Sequence, residues 1–109
     1  MNKNTSLYGE IKLAILRALL GSINPSLRGV SFEIDSNKKF IMVYFFHDGQ
    51  ILPAIENYYS CIDCEASADF FYDNFLYDHD FKIVRIDYPE KLPKQNFWVY
   101  IRKEPFVDP

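Results

Sequence analysis

The sequence predicts an α+β fold, a two-layer α/β sandwich in which a four-stranded antiparallel sheet is covered by two helices on one face. Two segments carry apolar residues at the spacing of a helix, and four shorter segments have the pattern of strands, in the order α-β-β-α-β-β. The chain has 109 residues, of which 49% are hydrophobic. That is enough for one core, so we expect a single domain over residues 1–109.

The first helix is predicted from Thr5 to Leu20. Thr5 or Ser6 can cap its start through a side-chain oxygen, and Gly21 is a natural stop. The residues that share its apolar face are Leu7, Ile11, Ala14, Ile15, Ala18 and Leu19. Three further residues widen that face: Leu13, Leu16 and Leu20. We therefore expect this helix to be buried over much of its circumference.

The next two segments predict an antiparallel hairpin. Leu27 to Asp35 alternates between apolar and polar residues, which is typical of a half-buried strand. Residues 36–39 form a polar turn, and Phe40 to Phe46 is apolar on both sides, as in a central strand.

The second helix is predicted from Pro53 to about Leu76. A proline fits the first turn of a helix. The apolar stripe with helical spacing consists of Ala54, Tyr58, Cys61, Cys64, Ala68, Phe71 and Phe75. We expect this stripe to face the core, and the acidic residues that lie off it to face solvent.

Two more strands, Phe81 to Asp87 and Phe97 to Arg102, are separated by a proline-bounded loop over residues 88–94. With the helices on one face of the sheet, the opposite face is left open. The residues expected there are Met42, Tyr44, Phe46, Trp98 and Tyr100, among Arg85 and Arg102. Such a surface needs a partner, a second copy or long side chains to cover it.

The charge is distributed unevenly along the chain. Between Lys39 and Lys82 there are eight acidic residues and no Lys or Arg, although the net charge of the whole chain is only −3. A long stretch of one sign indicates a directed electric field that attracts a cationic partner. It argues against nucleic acid as the ligand of this region.

Several chemical motifs are absent or incomplete. The chain has no phosphate-binding glycine loop and no nucleophile elbow. The Cys61–Cys64 pair is interpreted as core packing, since a zinc site would need two more ligands. His47 and His79 lie beside carboxylates at predicted element ends and are interpreted as solvated turns. We expect no enzyme activity, no metal and no cofactor. The enzymatic alternative is a small hydrolase that uses His47 or His79.

The acidic second helix is the predicted site, because carboxylates attract a basic partner and tyrosines supply contact area. The predicted partner-binding residues are Glu56, Tyr59, Asp63, Glu65, Asp69, Tyr72, Asp73, Asp78 and Asp80. One alternative is a solubilising face that contacts nothing. Another is a homodimeric adaptor domain that uses the open sheet face around Trp98 and Tyr100.

Two stretches resemble a family of small bacterial proteins encoded beside polymorphic toxin genes. The first comprises Arg17–Gly21 and Asn24–Val30, and the second comprises Ile86–Pro93 and Val99–Glu104. Some members of this family are regarded as immunity proteins of contact-dependent growth inhibition systems. The resemblance covers both ends of the chain, whereas the middle follows the family only in length and acidity.

The resemblance implies that the protein binds the C-terminal domain of one cognate toxin and neutralises it. Such toxins are often nucleases with basic clefts, which an acidic, aromatic-bearing surface could occlude. We also expect a cytoplasmic location and no membrane partner, because no apolar run approaches the length of a membrane helix and the N-terminus lacks the features of a signal peptide. The oligomeric state stays open.

Overall fold

The computed structural model describes residues 3–72 and 78–104, with side chains described from Leu7 onward except those of 69–72. The elements are α1 (Lys3–Leu19), β1 (Leu27–Asp35), β2 (Phe40–His47), α2 (Pro53–Tyr72), β3 (Asp78–Arg85) and β4 (Trp98–Ile101). The predicted element order is confirmed. The last four residues of the predicted second helix, 73–76, lie outside the described residues.

The predicted hairpin is confirmed, with antiparallel pairing from Leu27 opposite His47 to Asp35 opposite Phe40. A bulge at Arg28 adds one residue to β1. Bulges re-aim side chains at the end of a ladder, and this bulge accompanies the burial of Arg28, which is only 2% exposed.

The prediction of a purely antiparallel sheet is wrong. The strands lie in the order β3-β2-β1-β4, and β3 runs parallel to β2, while the other two pairs are antiparallel. The physical reason is the length of α2, because a long crossover returns the chain to the end of the sheet where β2 began. The strands β3 and β4 therefore lie at opposite edges instead of side by side.

The connection from β3 to β4 has to cross the whole sheet. Right-handed crossovers in opposite directions pass over opposite faces of a sheet, so this connection is expected on the face away from α2. A hydrogen bond of 2.9 Å between the Ser31 hydroxyl and Gln95 Oε1 places the connection there, since Ser31 alternates with the core residues Val30 and Phe32. The face that the sequence predicts to be open is thus partly covered by the connection between β3 and β4, at Gln95.

The core lies between the helices and the other sheet face. Its buried residues include the whole predicted face of α1, which is confirmed: Leu7, Ile11, Ala14, Ile15, Ala18 and Leu19. The predicted widening of that face is wrong for Leu13 and Leu20, which are 47% and 77% exposed. A helix that packs on one sheet and one neighbouring helix buries only part of its circumference.

The predicted core stripe of α2 is wrong. Ala54, Cys61, Cys64 and Ala68 are exposed, and Tyr58 is half-buried. The residues that face the core instead are Tyr59, Ile62, Asp63, Ala66 and Ser67. Phe71 and Phe75 lie outside the residues with described side chains. A second apolar series, Ile55–Tyr59–Ile62–Ala66, has the same helical spacing as the predicted stripe, so periodicity alone cannot choose between the two faces.

No helix in the described part of the chain is long and apolar enough to cross a membrane.

Candidate partner-binding site

The open face is the sheet face opposite the helices, and the pairing of three strands gathers carboxylates at one end of it. Residues that pair across neighbouring strands point to the same side of a sheet. One row consists of Glu33, Met42 and Asp80, and the next row consists of Asp35, Phe40 and Asp78. We call these six residues the acidic end.

The carboxylates of the acidic end are available to a partner. All four are exposed, while Phe40 and Met42 between them are half-buried. None of the four forms an ion pair with another described residue. Asp35 accepts hydrogen bonds from the backbone N–H groups of Asn37 and Lys38 at 3.0 and 3.1 Å, which fixes the hairpin turn. The acidic end can therefore offer an apolar contact surrounded by unneutralised negative charge.

A shallow groove of about 440 Å³ opens beside this surface. Its lining includes the carboxylates of Glu33 and Asp35 and the apolar side chains of Phe40 and Met42. A groove with this lining suits a basic side chain, whose aliphatic stem packs on apolar groups while its charged head meets a carboxylate.

Aromatic residues occupy the middle of the open face. The rings of Tyr44 and Phe46 stack with centroids 6.4 Å apart, and Phe46 contacts Trp98 at 5.5 Å. Gly29 makes room for the Trp98 indole, because a Cβ at this position would lie 2.8 Å from a ring carbon. Burial, and then the negative charge of Glu33, raise the pKa of Tyr44. Tyr44 therefore stays a neutral hydroxyl beside the acidic end.

The opposite end of the sheet carries an arginine cluster that is internally paired. The guanidinium of Arg28 donates to both carboxylate oxygens of Glu104 at 2.7 and 2.9 Å and to the Ile86 carbonyl at 2.9 Å. It also lies 5.7 Å from the centre of the Tyr88 ring. The hydrogen bonds from Arg28 hold the pKa of Glu104 below its ordinary value. This end is thus a structural clamp on the crossover connection.

Arg102 extends the clamp. It donates to Glu104 at 2.9 Å, to the Pro25 carbonyl at 2.7 Å and to Asp48 at 3.2 Å. Asp48 belongs to the lysine-free stretch, and here its charge is compensated within the fold. The expectation that all carboxylates of that stretch share one negative surface is therefore wrong for Asp48.

Two of the expected open-face residues lie elsewhere. Tyr100 pairs with Val30 and packs against the core on the helix side. Arg85 pairs with His47 at the end of β3 and forms an ion pair with Asp87 at 3.1 Å. The sequence pattern alone did not determine which side chains of these strands face the helices. In β4 a bulge shifts the register, and a shift of one residue exchanges the two faces.

Tyr59, a predicted partner-binding residue, is fully buried. Its hydroxyl lies 2.7 Å from His47 Nδ1, and its ring stacks on Phe45 at 4.7 Å. His47 is only 2% exposed, so its interpretation as a solvated turn is wrong. Burial lowers the pKa of His47, because the imidazolium would lose its hydration. This pair stabilises the packing of α2 on β2 and cannot contact a partner.

The His47 environment predicts a pH-dependent stability. The pKa of His47 is lower in the folded state than the ordinary value of 6.5 that it has in the unfolded chain. Its contribution to the stability of the fold is therefore fully present above about pH 6.5 and is lost as the pH falls, because the unfolded chain then binds a proton that the folded state does not. We expect the free energy of unfolding to decrease more steeply between about pH 7 and pH 5 in the native chain than in His47→Gln. Urea denaturation across this range measures both slopes. All other titrating groups are common to both proteins, so equal slopes would contradict a neutral, buried His47.

Asp63, another predicted partner-binding residue, is also buried. It is 5% exposed, and its Oδ2 lies 3.1 Å from His79 Nδ1. Burial raises the pKa of Asp63, and the interaction with the neighbouring His79 opposes that rise. The contact joins α2 to β3. Asp63 was expected off the core stripe, and it is buried because the helix presents a different face to the sheet.

The remaining predicted residues with described side chains are divided between α2 and β3. Glu56 and Glu65 are exposed on α2, and their separation of nine positions, about two and a half turns, places them on opposite sides of the helix axis. Asp69 and Tyr72 lie in α2, but their side chains are outside the described residues, as is Asp73 altogether. Asp78 and Asp80 belong to β3 and not to the end of a helix. They lie beside Glu33 and Asp35 at the acidic end. Glu33 and Asp35 were not among the predicted partner-binding residues, although the alternation of β1 places both on one side.

The predicted packing of the CxxC motif is wrong, since Cys61 and Cys64 are both exposed on α2. Within the described residues, no group of three or more His, Cys, Asp or Glu side chains is placed to hold a metal ion.

Comparison with known proteins identifies one family. The model of the family described as MafI2 immunity protein matches residues 8–104. No curated protein matches the chain significantly. The matched range contains all four strands and therefore every residue of the acidic end.

Proposed function

Because this chain belongs to the MafI2 immunity protein family, we propose that it binds a cognate toxin domain through the acidic end of its open face and thereby neutralises the toxin. Membership in an immunity protein family suggests a toxin-neutralising role and an inhibitor rather than an enzyme. The proposal has three further parts: the surface that binds the toxin, the chemistry of the toxin and a location in the cytoplasm.

The observation that carries the choice of surface is the convergence of four exposed carboxylates around Phe40 and Met42. A cationic partner gains most from charges that are not already compensated. The exposed part of α2 is a weaker candidate, because Tyr59 and Asp63 are buried. Its two exposed acids with described side chains, Glu56 and Glu65, lie nine positions apart, which is about 13 Å along a helix.

The proposed toxin domain has a basic, substrate-binding cleft, as a nuclease has. Carboxylates arranged in two rows can occupy positions that phosphates would take, and Phe40, Met42 and Tyr44 supply contact area that excludes water. The proposed mode of inhibition is therefore occlusion of the cleft, and it requires no covalent step.

Charge reversal tests the surface. We expect Glu33→Lys combined with Asp78→Lys to weaken binding to the toxin domain encoded beside this gene by about 100-fold or more, because close charge pairs at interfaces couple strongly. The matched control is Glu56→Lys combined with Glu65→Lys, which makes the same change in net charge on the other side of the molecule. Binding is measured by calorimetry with a catalytically inactive toxin domain.

The control and the salt dependence decide the outcome. The α2 variant is expected to bind within about threefold of the native affinity, because its charges act only at long range and are screened. Native affinity should fall as salt rises from about 50 to 300 mM. A large loss in the α2 variant together with no loss in the sheet variant would contradict the acidic end and favour the helix.

A further inference from the structure

β3 is an edge strand of the sheet, so the backbone groups on its outer side pair with no other described strand. Hydrogen bonds from Asp78 N to the Lys39 carbonyl and from Ile86 N to the His47 carbonyl, both 2.9 Å, show that even-numbered residues face β2. The alternation of a strand then turns the backbone groups of Phe81 and Ile83 outward. Consistently, the Phe81 N–H donates to the carboxylate of Asp80 at 2.8 Å and not to a strand.

We propose that this edge pairs antiparallel with the same edge of a second copy of the chain, centred on Phe81, and so forms a continuous eight-stranded sheet. The inference goes beyond the proposed function and does not depend on it. An exposed edge strand is a template for such pairing unless the sequence prevents it.

The charge pattern of β3 favours the register centred on Phe81. In a twofold antiparallel pair, one central residue faces its own copy. Centring on Asp80 or on Lys82 would place like charges opposite each other, which is unfavourable. Centring on Phe81 places Asp80 opposite Lys82 twice, once on each side of the axis. Asp80 and Lys82 are both exposed and form no ion pair with other described residues.

The same register matches the apolar side chains. Phe81 and Ile83 lie on the helix side of β3 and are half-buried at the margin of the core. Across the proposed axis, Phe81 would contact its own copy and exchange two backbone hydrogen bonds with it. The Asp80 carboxylate would leave the Phe81 N–H and accept from Lys82.

The proposed dimer is compatible with toxin binding at the acidic end. Of the four carboxylates there, only Asp80 takes part in the pairing, while Glu33, Asp35 and Asp78 stay unpaired. The antiparallel arrangement places the two acidic ends at opposite ends of the joint sheet, so each could bind one toxin domain.

Sedimentation velocity and light scattering on the purified full chain test the proposal. Over a range from about 1 to 300 µM, we expect a concentration-dependent rise from monomer to twice the monomer mass. Amide hydrogen exchange gives a second readout, since the Phe81 and Ile83 amides should exchange more slowly at high concentration than at low concentration. A chain that stays monomeric at the highest concentration would overturn the dimer.

A charge swap isolates the register. Lys82→Asp places a carboxylate opposite Asp80 and is expected to weaken dimerisation at least about tenfold. Asp80→Lys should do the same. The double variant Asp80→Lys with Lys82→Asp restores opposite charges and should recover dimerisation to within a few-fold of the native chain, while circular dichroism verifies that each variant is folded.

Two results would count against this edge. A dimer that the single charge variants leave unchanged is held by another surface, such as the aromatic middle of the open face. Single variants that weaken dimerisation without rescue by the double variant contradict the Phe81-centred register. The toxin-binding variant Glu33→Lys with Asp78→Lys leaves the Asp80–Lys82 pairs intact, so failure of one proposal is distinguishable from failure of the other.

Discussion

Arg28→Ala is expected to lower the free energy of unfolding by about 3–5 kcal/mol, the cost of removing one partner from a buried ion pair. The side chain is 2% exposed and holds Glu104 with two hydrogen bonds and the Ile86 carbonyl with a third. Alanine leaves a void under the Tyr88 ring and leaves the Glu104 carboxylate with Arg102 as its remaining partner, so we expect the loss at the lower end of this range. The loss should appear in urea denaturation as a lower midpoint with a similar slope.

Arg28→Lys is the matched control for this prediction. Lysine keeps the positive charge but lacks the planar fork that reaches Glu104 and Ile86 together, so we expect it to recover less than half of the loss. Glu104→Gln keeps the shape of the partner but leaves the buried guanidinium of Arg28 without its carboxylate, so we expect it to lower the free energy of unfolding as well, by about 2–4 kcal/mol. A loss below about 1 kcal/mol in Arg28→Ala would contradict the clamp.

This clamp also explains the segments that carry the family resemblance. Asn24–Val30 contains Arg28, Ile86–Pro93 contains Tyr88, and Val99–Glu104 contains Arg102 and Glu104. These segments are far apart in the sequence and meet at one end of the sheet. Their pattern is thus accounted for by a structural contact between the two ends of the chain, and not by the acidic end.

Local patterns in the sequence predicted local structure well. The alternation in Leu27–Asp35 and the polar turn after it led to the correct hairpin, because its pairing depends on neighbouring residues alone. The face of α1 was predicted residue by residue, since only one of its faces is continuously apolar.

The two main wrong predictions, the pairing of β3 and the buried face of α2, concern features that depend on contacts between residues far apart in the sequence. The parallel pairing of β3 with β2 depends on the path of α2 across the sheet, which no local pattern encodes. The face of α2 depends on polar partners from other elements, because His47 pairs with Tyr59 and His79 contacts Asp63. Without those partners in view, two buried polar residues were assigned to the surface.

The candidate site was predicted in part for the same reason. Asp78 and Asp80 were chosen for their charge, but they were placed after a helix and grouped with the acids of α2. Strand pairing separates them from α2 and joins them to Glu33 and Asp35. The predicted acidic residues, which are neighbours in the sequence, thus belong to two separate surfaces. The acidic end, in contrast, combines carboxylates from distant segments of the chain.

Phe45→Ala is expected to cost about 3–5 kcal/mol of unfolding free energy, as is typical of a large-to-small change in a core. Phe45 is fully buried in β2. Its ring stacks on Tyr59 at 4.7 Å and meets Phe81 edge-on at 5.9 Å, so it joins the central strand to α2 and to β3. Urea denaturation of the variant measures the effect.

Phe45→Leu is the control, because it keeps most of the apolar volume and should cost less than half as much. Since Phe45 faces the helices and the acidic end lies on the opposite face, any Phe45→Leu protein that is folded should bind the toxin domain with native affinity. A folded variant that binds more weakly would show that a change in the core between α2 and the sheet alters the partner-binding surface on the opposite face. Equal stability losses in the two variants would contradict the cavity as the source of the loss and would assign it to the ring contacts, because both variants remove the ring while only alanine leaves the larger cavity.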